Sequence, residues 1–165
     1  MIKKIIGNII SNFRVVNLYE AKKNKKKLFF KNFKIIKLND IKLARNRNIF
    51  SKLNIKKKKT RFLKNHFLLI LYFKKDPVCM GWMYQGKKWL ISEINKEINI
   101  KGKILLYDFF TFKKFRNSGY YTIILKLTKN IKTNKNFLIY CLSSNLASKR
   151  GIVNAKFKLI KRLKK

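Results

Sequence analysis

Residues 104–131, ILLYDFFTFKKFRNSGYYTIILKLTKNI, change their periodicity halfway along. Ile104 to Thr111 is a dense, β-prone apolar run, whereas Tyr121, Ile124, Leu125, Leu127 and Ile131 fall in a helical pattern. Between the two lies Arg116-Asn117-Ser118-Gly119-Tyr120-Tyr121. A glycine-bearing turn between a strand and a helix N-terminus aims several backbone N–H groups at one spot, and the helix dipole adds partial positive charge there. Such a junction suits a phosphate.

Working towards the N-terminus, Gly102 closes a polar loop, and Trp89 to Ile94 reads as a strand entered through the turn at Gln85 and Gly86. Val78 to Tyr84 and Phe67 to Phe73 are β-prone runs joined at Lys75, Asp76 and Pro77, the pattern of a hairpin. Ile41 to Lys59 has helical spacing behind the N-cap residues Asn39 and Asp40, and Leu28 to Leu38 alternates like a first strand. Towards the C-terminus, a strand over Phe137 to Leu142, a helix over Leu146 to Ala155 and a strand over Phe157 to Leu163 complete the order. A meander followed by one crossover helix predicts a mixed sheet with a parallel pair at the junction.

Ile2, Ile5, Ile6, Ile9, Ile10, Phe13 and Val16 recur at spacings of three and four, with lysine and asparagine between them. This predicts a basic amphipathic helix, suited to the chain's own core, to a second copy or to an anionic membrane surface. Residues 1–27 are therefore read as that helix and a polar connector, and residues 28–165 as one α+β domain. No stretch approaches the roughly 20 apolar residues that cross a bilayer. The expected location is the cytoplasm, with peripheral attachment at the inner membrane surface, or pairing of copies, through residues 1–20.

The 165 residues carry 43 Lys and Arg against 6 Asp and Glu, a formal charge of +37. That balance invites a nucleic-acid partner. Against it, the cations are scattered through every segment, lysine dominates arginine, and isoleucine, asparagine and phenylalanine abound with it, the signature of drift towards an A+T-rich genome. Specific base readout favours arginine forks, so no specific nucleic acid is expected. The chain is too apolar, at 47% hydrophobic, for a disordered polycation. Cys79 and Cys141 stand far apart in apolar runs with a single histidine, His66, so no metal site is expected and both thiols read as buried hydrophobes.

The second half supplies a further motif: Phe137 to Leu142 leads through Ser143 and Ser144 to Asn145, Ala147, Ser148, Arg150 and Gly151, then Ala155, Lys156 and Phe157. Together the two stretches resemble the GNAT superfamily of acyl-CoA N-acyltransferases. The family's Arg/Gln-x-x-Gly-x-Gly/Ala turn is similar to Arg116 to Tyr121, and its Asn-x-x-Ala/Ser with a later Gly-Phe is similar to Asn145 to Phe157. The resemblance is strongest from Val78 to Leu163. It implies a mixed, mostly antiparallel, splayed sheet flanked by helices, and transfer of an acetyl group from acetyl-CoA to a primary amine, an amino sugar or similar small molecule.

The resemblance also implies that Asn117, Ser118, Gly119, Tyr120 and Tyr121 hold the CoA pyrophosphate through backbone amides, with Arg116 adding charge. Phe109, Phe110 and Thr111 would bind the pantetheine arm along the central strand, and Asn145 and Ser148 would line the far wall. Tyr121 stands where Gly or Ala is usual, Ile152 where many members carry a thiolate-protonating tyrosine, and Lys156 where Gly precedes Phe157.

Amine attack needs a proton acceptor. Among so few acids, Asp108, three residues before Thr111, and Glu93, near the end of the preceding strand, are the candidates. Tyr84, Trp82 and Trp89 would border the cleft and could stack on a flat acceptor. Two alternatives stand beside this reading: a basic nucleic-acid- or ribosome-associated protein, and a degenerate GNAT domain acting by binding alone.

Overall fold

The computed structural model describes residues 14–38, 61–62 and 65–165. Seven strands build one sheet: β1 (Val15–Ala21), β2 (Phe33–Leu38), β3 (His66–Phe73), β4 (Asp76–Tyr84), β7 (Lys103–Thr111), β8 (Asn136–Leu142) and β9 (Lys158–Lys164), in the order β2-β3-β4-β7-β8-β1-β9. β5 (Lys88–Ile91) and β6 (Lys96–Asn99) form a separate hairpin. Helices α1 (Tyr120–Thr128) and α2 (Leu146–Asn154) follow β7 and β8 respectively. All neighbours in the large sheet run antiparallel except β7 and β8, the parallel pair expected at the crossover.

The central strands are apolar almost continuously because both faces are covered. One face carries Leu69, Leu71, Met83, Leu106 and Ile139 against Ile124 and Leu125 of α1 and Ile152 of α2. Leu68, Ile70, Met80, Trp82 and Tyr107 face the other way. Beside them Ile91 and Ile94 pack on Val16 and Leu163. Lys129, just past α1, is buried, and its Nζ donates to the Ala155 carbonyl at 2.8 Å, tying the ends of the two helices together.

The N-terminal reading is corrected where it meets described residues. Val16, assigned to the helical stripe, belongs to β1, which lies inside the sheet between β8 and β9. The boundary at residue 27 therefore does not hold for residues 15–21. Helical spacing ran on into a strand because Val15, Val16, Leu18 and Tyr19 put apolar side chains on both faces, as a strand covered on both sides requires. Its acidic residue is tied in: Glu20 accepts from Lys103 Nζ at 3.0 Å and from Asn136 Nδ2 at 2.8 Å. Residues 1–13, and the helices read over residues 41–59, lie outside the described residues. The segment read as a polar loop before Gly102 contains β6, whose single half-buried apolar residue, Ile98, left little pattern to see.

Candidate active site

The ladder between β7 and β8 runs from Lys103↔Asn136 to Leu106↔Ile139 and stops, although β7 continues to Thr111 and β8 to Leu142. From Tyr107 on one side and Tyr140 on the other the strands diverge. The splay predicted from the sequence is present.

A bulge sharpens it. Tyr107 opposes Trp82 and Phe110 opposes Met80, so Asp108 and Phe109 together face Gly81. Asp108 takes φ 52°, the left-handed conformation that Asp tolerates better than most residues. The extra residue turns Phe109 onto the helix-bearing face, where its ring fills the space over Gly81; a Cβ there would lie within 2.3 Å of it.

At the end of β7 a short 3-10 turn, Lys113–Phe115, delivers the chain to Arg116. Asn117 and Gly119 both adopt positive φ, 62° and 75°. Gly119 is the N-cap of α1 and provides no side-chain acceptor for the first-turn N–H groups. A Cβ built on Gly119 would meet nothing within 4 Å, so the approach to this turn is open. Arg116 is held beside it: its Nε donates to the Thr111 carbonyl at 3.3 Å, and its guanidinium lies 5.7 Å from the Phe110 ring.

These parts wall a cleft of about 680 Å³. Of the residues expected to hold a cofactor, Phe109, Phe110, Thr111, Arg116, Asn117, Gly119, Tyr120, Tyr121 and Ser148 line it. Ser118 does not; its hydroxyl donates back to the Arg116 carbonyl at 3.4 Å. Asn145 does not either. Its side chain accepts from the Ser148 N–H at 3.0 Å and caps α2, a role legible in an Asn placed just before a helix. Phe115, Thr122, Ala147, Arg150, Gly151 and Asn154 line the cleft without having been singled out for it.

Tyr121 crosses the cleft from α1 to α2. Its ring packs 5.5 Å from Phe109, and burial pushes its hydroxyl's pKa up, a hydrogen bond with the Ser148 side chain opposing the shift. The thiols are poor nucleophiles: burial pushes Cys79 up to about 11 and raises Cys141.

On the opposite face of the splay stands a second group. Tyr107 and Tyr140 occupy the first positions beyond the ladder. His66 Nδ1 lies 2.6 Å from the Tyr107 hydroxyl, and Trp89 Nε1 donates to the Tyr140 hydroxyl at 3.2 Å. His66 stacks on Tyr84 at 4.4 Å, and Trp89 packs 4.6 Å from Tyr107. Burial raises the pKa of both phenols; at Tyr140 the Trp89 hydrogen bond opposes that, while the carboxylates of Glu93 and Asp108 add to it. Both candidate acids therefore act on Tyr140.

Neither acid is placed as a simple base. Asp108 is bound by Arg61 Nη1 at 2.7 Å, and Glu93 accepts from Ser92 Oγ at 3.3 Å on the exposed turn after β5. Trp82, grouped with the stacking aromatics, is fully buried in the core; Tyr84 and Trp89 are half-buried. The pairing of His66 with Tyr107 was not visible in the sequence, because only the fold sets β3 and β7 on either side of β4 with these two side chains in contact across it.

No protein-family model matches the chain, and no curated protein does. Solved structures do. A conserved protein of unknown function from Staphylococcus epidermidis ATCC 12228 superimposes with a TM-score of 0.62 at 13% identity, over 97% of this chain and 64% of that one. An acetyltransferase from the GNAT family of Colwellia psychrerythraea gives 0.59 at 13% identity, over 96% and 59%. A protein assigned to the same family from Novosphingobium aromaticivorans DSM 12444 gives 0.58 at 9% identity, over 90% and 61%. The chain thus has a GNAT-like fold and spans about three fifths of the length of these structures.

Proposed function

We propose that the chain is an acetyl-CoA-dependent N-acetyltransferase working in the cytoplasm on a small primary amine such as an amino sugar. One observation carries this reading: the β7–β8 ladder stops at Leu106↔Ile139 beside an open, positive-φ turn at the N-terminus of α1. A cleft with amide donors at one end and an unpaired strand edge along its wall fits a substrate with a pyrophosphate and an extended amide-bearing arm. The N–H groups from Asn117 to Tyr121 would hold the phosphates and Arg116 would add charge. The main chain of Phe109 to Thr111 would take the arm, bringing the thioester to the splay.

The amine would enter from the other face, between Tyr107 and Tyr140, drawn by the carboxylates of Asp108 and Glu93. As its nitrogen bonds to the thioester carbon and the C–S bond breaks, its proton would pass to the Tyr107 oxygen, which would give its own to His66 in the tautomer that leaves Nδ1 unprotonated. The Asp108 carboxylate is already held by Arg61 at 2.7 Å. The CoA sulfur leaves as a thiolate.

Calorimetric titration with acetyl-CoA at moderate salt, beside Gly119→Asp, tests the reading. One-to-one binding lost in the variant supports it, and turnover with a panel of amines then identifies the acceptor. Binding without any turnover would favour a domain that acts by binding alone. No saturable binding, or equal binding by both proteins, would overturn the cofactor site.

A further inference from the structure

The connector between β1 and β2 is a fixed, basic loop that displays a bare aromatic ring. Phe29 is 85% exposed, far more than any other large apolar residue described, and Leu28 beside it is 39% exposed. Lys22, Lys23, Lys25, Lys26, Lys27 and Lys31 flank them in the chain, all exposed, and no acidic residue occurs between Lys22 and Leu38. Compositional drift supplies lysine and phenylalanine alike; it does not explain why the tip that carries them is clasped on both sides.

The loop is anchored on both sides of that tip. Asn130, just beyond α1, accepts from the Leu28 N–H at 3.0 Å and donates to the Leu28 carbonyl at 2.7 Å. Asn24 donates to the Asn130 side chain at 2.7 Å and to the Lys126 carbonyl at 3.1 Å, and its own N–H bonds the Lys129 carbonyl. On the far side, Phe30 packs on the core and edge-on to Phe33. With both neighbours of Phe29 held, exposing the ring costs no further ordering when a partner takes it up.

We propose that this loop is a docking surface for an anionic lipid bilayer, with Phe29 and Leu28 inserted at the headgroup level and the six lysines against the anionic headgroups. An aromatic tip on a lysine-rich loop is the chemistry of interfacial attachment. Leu28 has no π-face to stack on a base, and the loop contains no arginine, which weighs against nucleic acid. Of the membrane contact expected through residues 1–20, residues 1–13 lie outside the described residues and residues 15–20 lie inside the sheet; the loop is a separate surface. The loop is clasped to the C-terminal end of α1, whereas the cleft lies at its N-terminal end. Nine residues at about 1.5 Å each put roughly 13 Å between them, so attachment leaves the cleft free.

The test does not depend on any acetyltransferase activity. The full chain is floated with vesicles of phosphatidylcholine alone or mixed with phosphatidylglycerol, at about 0.15 M salt. Phe29→Ser changes no charge, so general adhesion of a +37 protein is left intact. It should weaken binding to the anionic vesicles about tenfold, as expected for losing part of a phenyl ring's burial. Replacing Lys25, Lys26 and Lys27 by Gln should weaken it too, and neutral vesicles should bind neither protein. Poly(U) binding should be unchanged by Phe29→Ser. No binding of the parent protein to anionic vesicles, equal binding by Phe29→Ser, or a poly(U) loss as large as the vesicle loss would each overturn the proposal, the last in favour of a base-stacking surface.

Discussion

Tyr121 lies flat against Gly151: a Cβ on the glycine would stand 2.5 Å from Cδ1 and 2.9 Å from Cε1 of the tyrosine ring. The two helices that frame the cleft meet through this contact, and it reverses the usual sign of a helical Gly→Ala change. In an open helix that substitution gains about 1 kcal/mol. Here Gly151→Ala should destabilise by about 1–3 kcal/mol through overpacking, or else rotate Tyr121 into the cleft and weaken acetyl-CoA binding. Thermal unfolding and calorimetry distinguish the two.

The short contact between His66 and Tyr107 gives a kinetic prediction. His66→Gln and Tyr107→Phe should each lower kcat with a responsive amine by about 10²-fold or more, leaving the affinity for acetyl-CoA unchanged. Asp108→Asn, which keeps a residue tolerant of positive φ at the bulge, should instead raise the KM for the amine with a smaller effect on kcat. A larger kcat loss in Asp108→Asn than in His66→Gln would return the proton-accepting role to the carboxylate.

Glu20 joins three strands at one end of the sheet, from β1 to Lys103 of β7 and Asn136 of β8. Burial pushes its pKa up, but the hydrogen bonds from Asn136 and Lys103 outweigh burial, and the net shift is downward. A carboxyl held below its unfolded value contributes stability that is complete above that value and is lost as pH falls through the lowered one. Glu20→Gln should therefore cost about 1 kcal/mol near neutrality, with parent and variant converging on acidification below the ordinary glutamate range. A constant difference across that window, read by denaturant melts at several pH values, would refute the assignment.

Local chemistry made much of this molecule readable in advance. The strand, turn and helix around Gly119 carry their own signals: an apolar run, a residue free to take positive φ and a helical stripe. The crossover from β7 to β8 follows from their order. What could not be read depended on partners distant in sequence. β1 looked helical because nothing local reveals that its two faces are covered by different layers. Asn145 resembled a site residue but is spent as a helix cap. The contact between His66 and Tyr107 joins a histidine at the start of β3 to a tyrosine 41 positions later, and no spacing rule connects them.

The place of β1 between β8 and β9 also sets an order of assembly. Its bonds reach far along the chain, Glu20 to Asn136 spanning 116 positions, so the strand is synthesised early and meets its neighbours late. β9 has no other partner in the sheet. Until both later strands have been made, β1 must wait with two unsatisfied edges, the condition under which strands recruit wrong companions. Closure over such separations is slow. The lysines that follow β1 would then serve the nascent chain before they serve the finished one, since like charges keep two waiting copies apart.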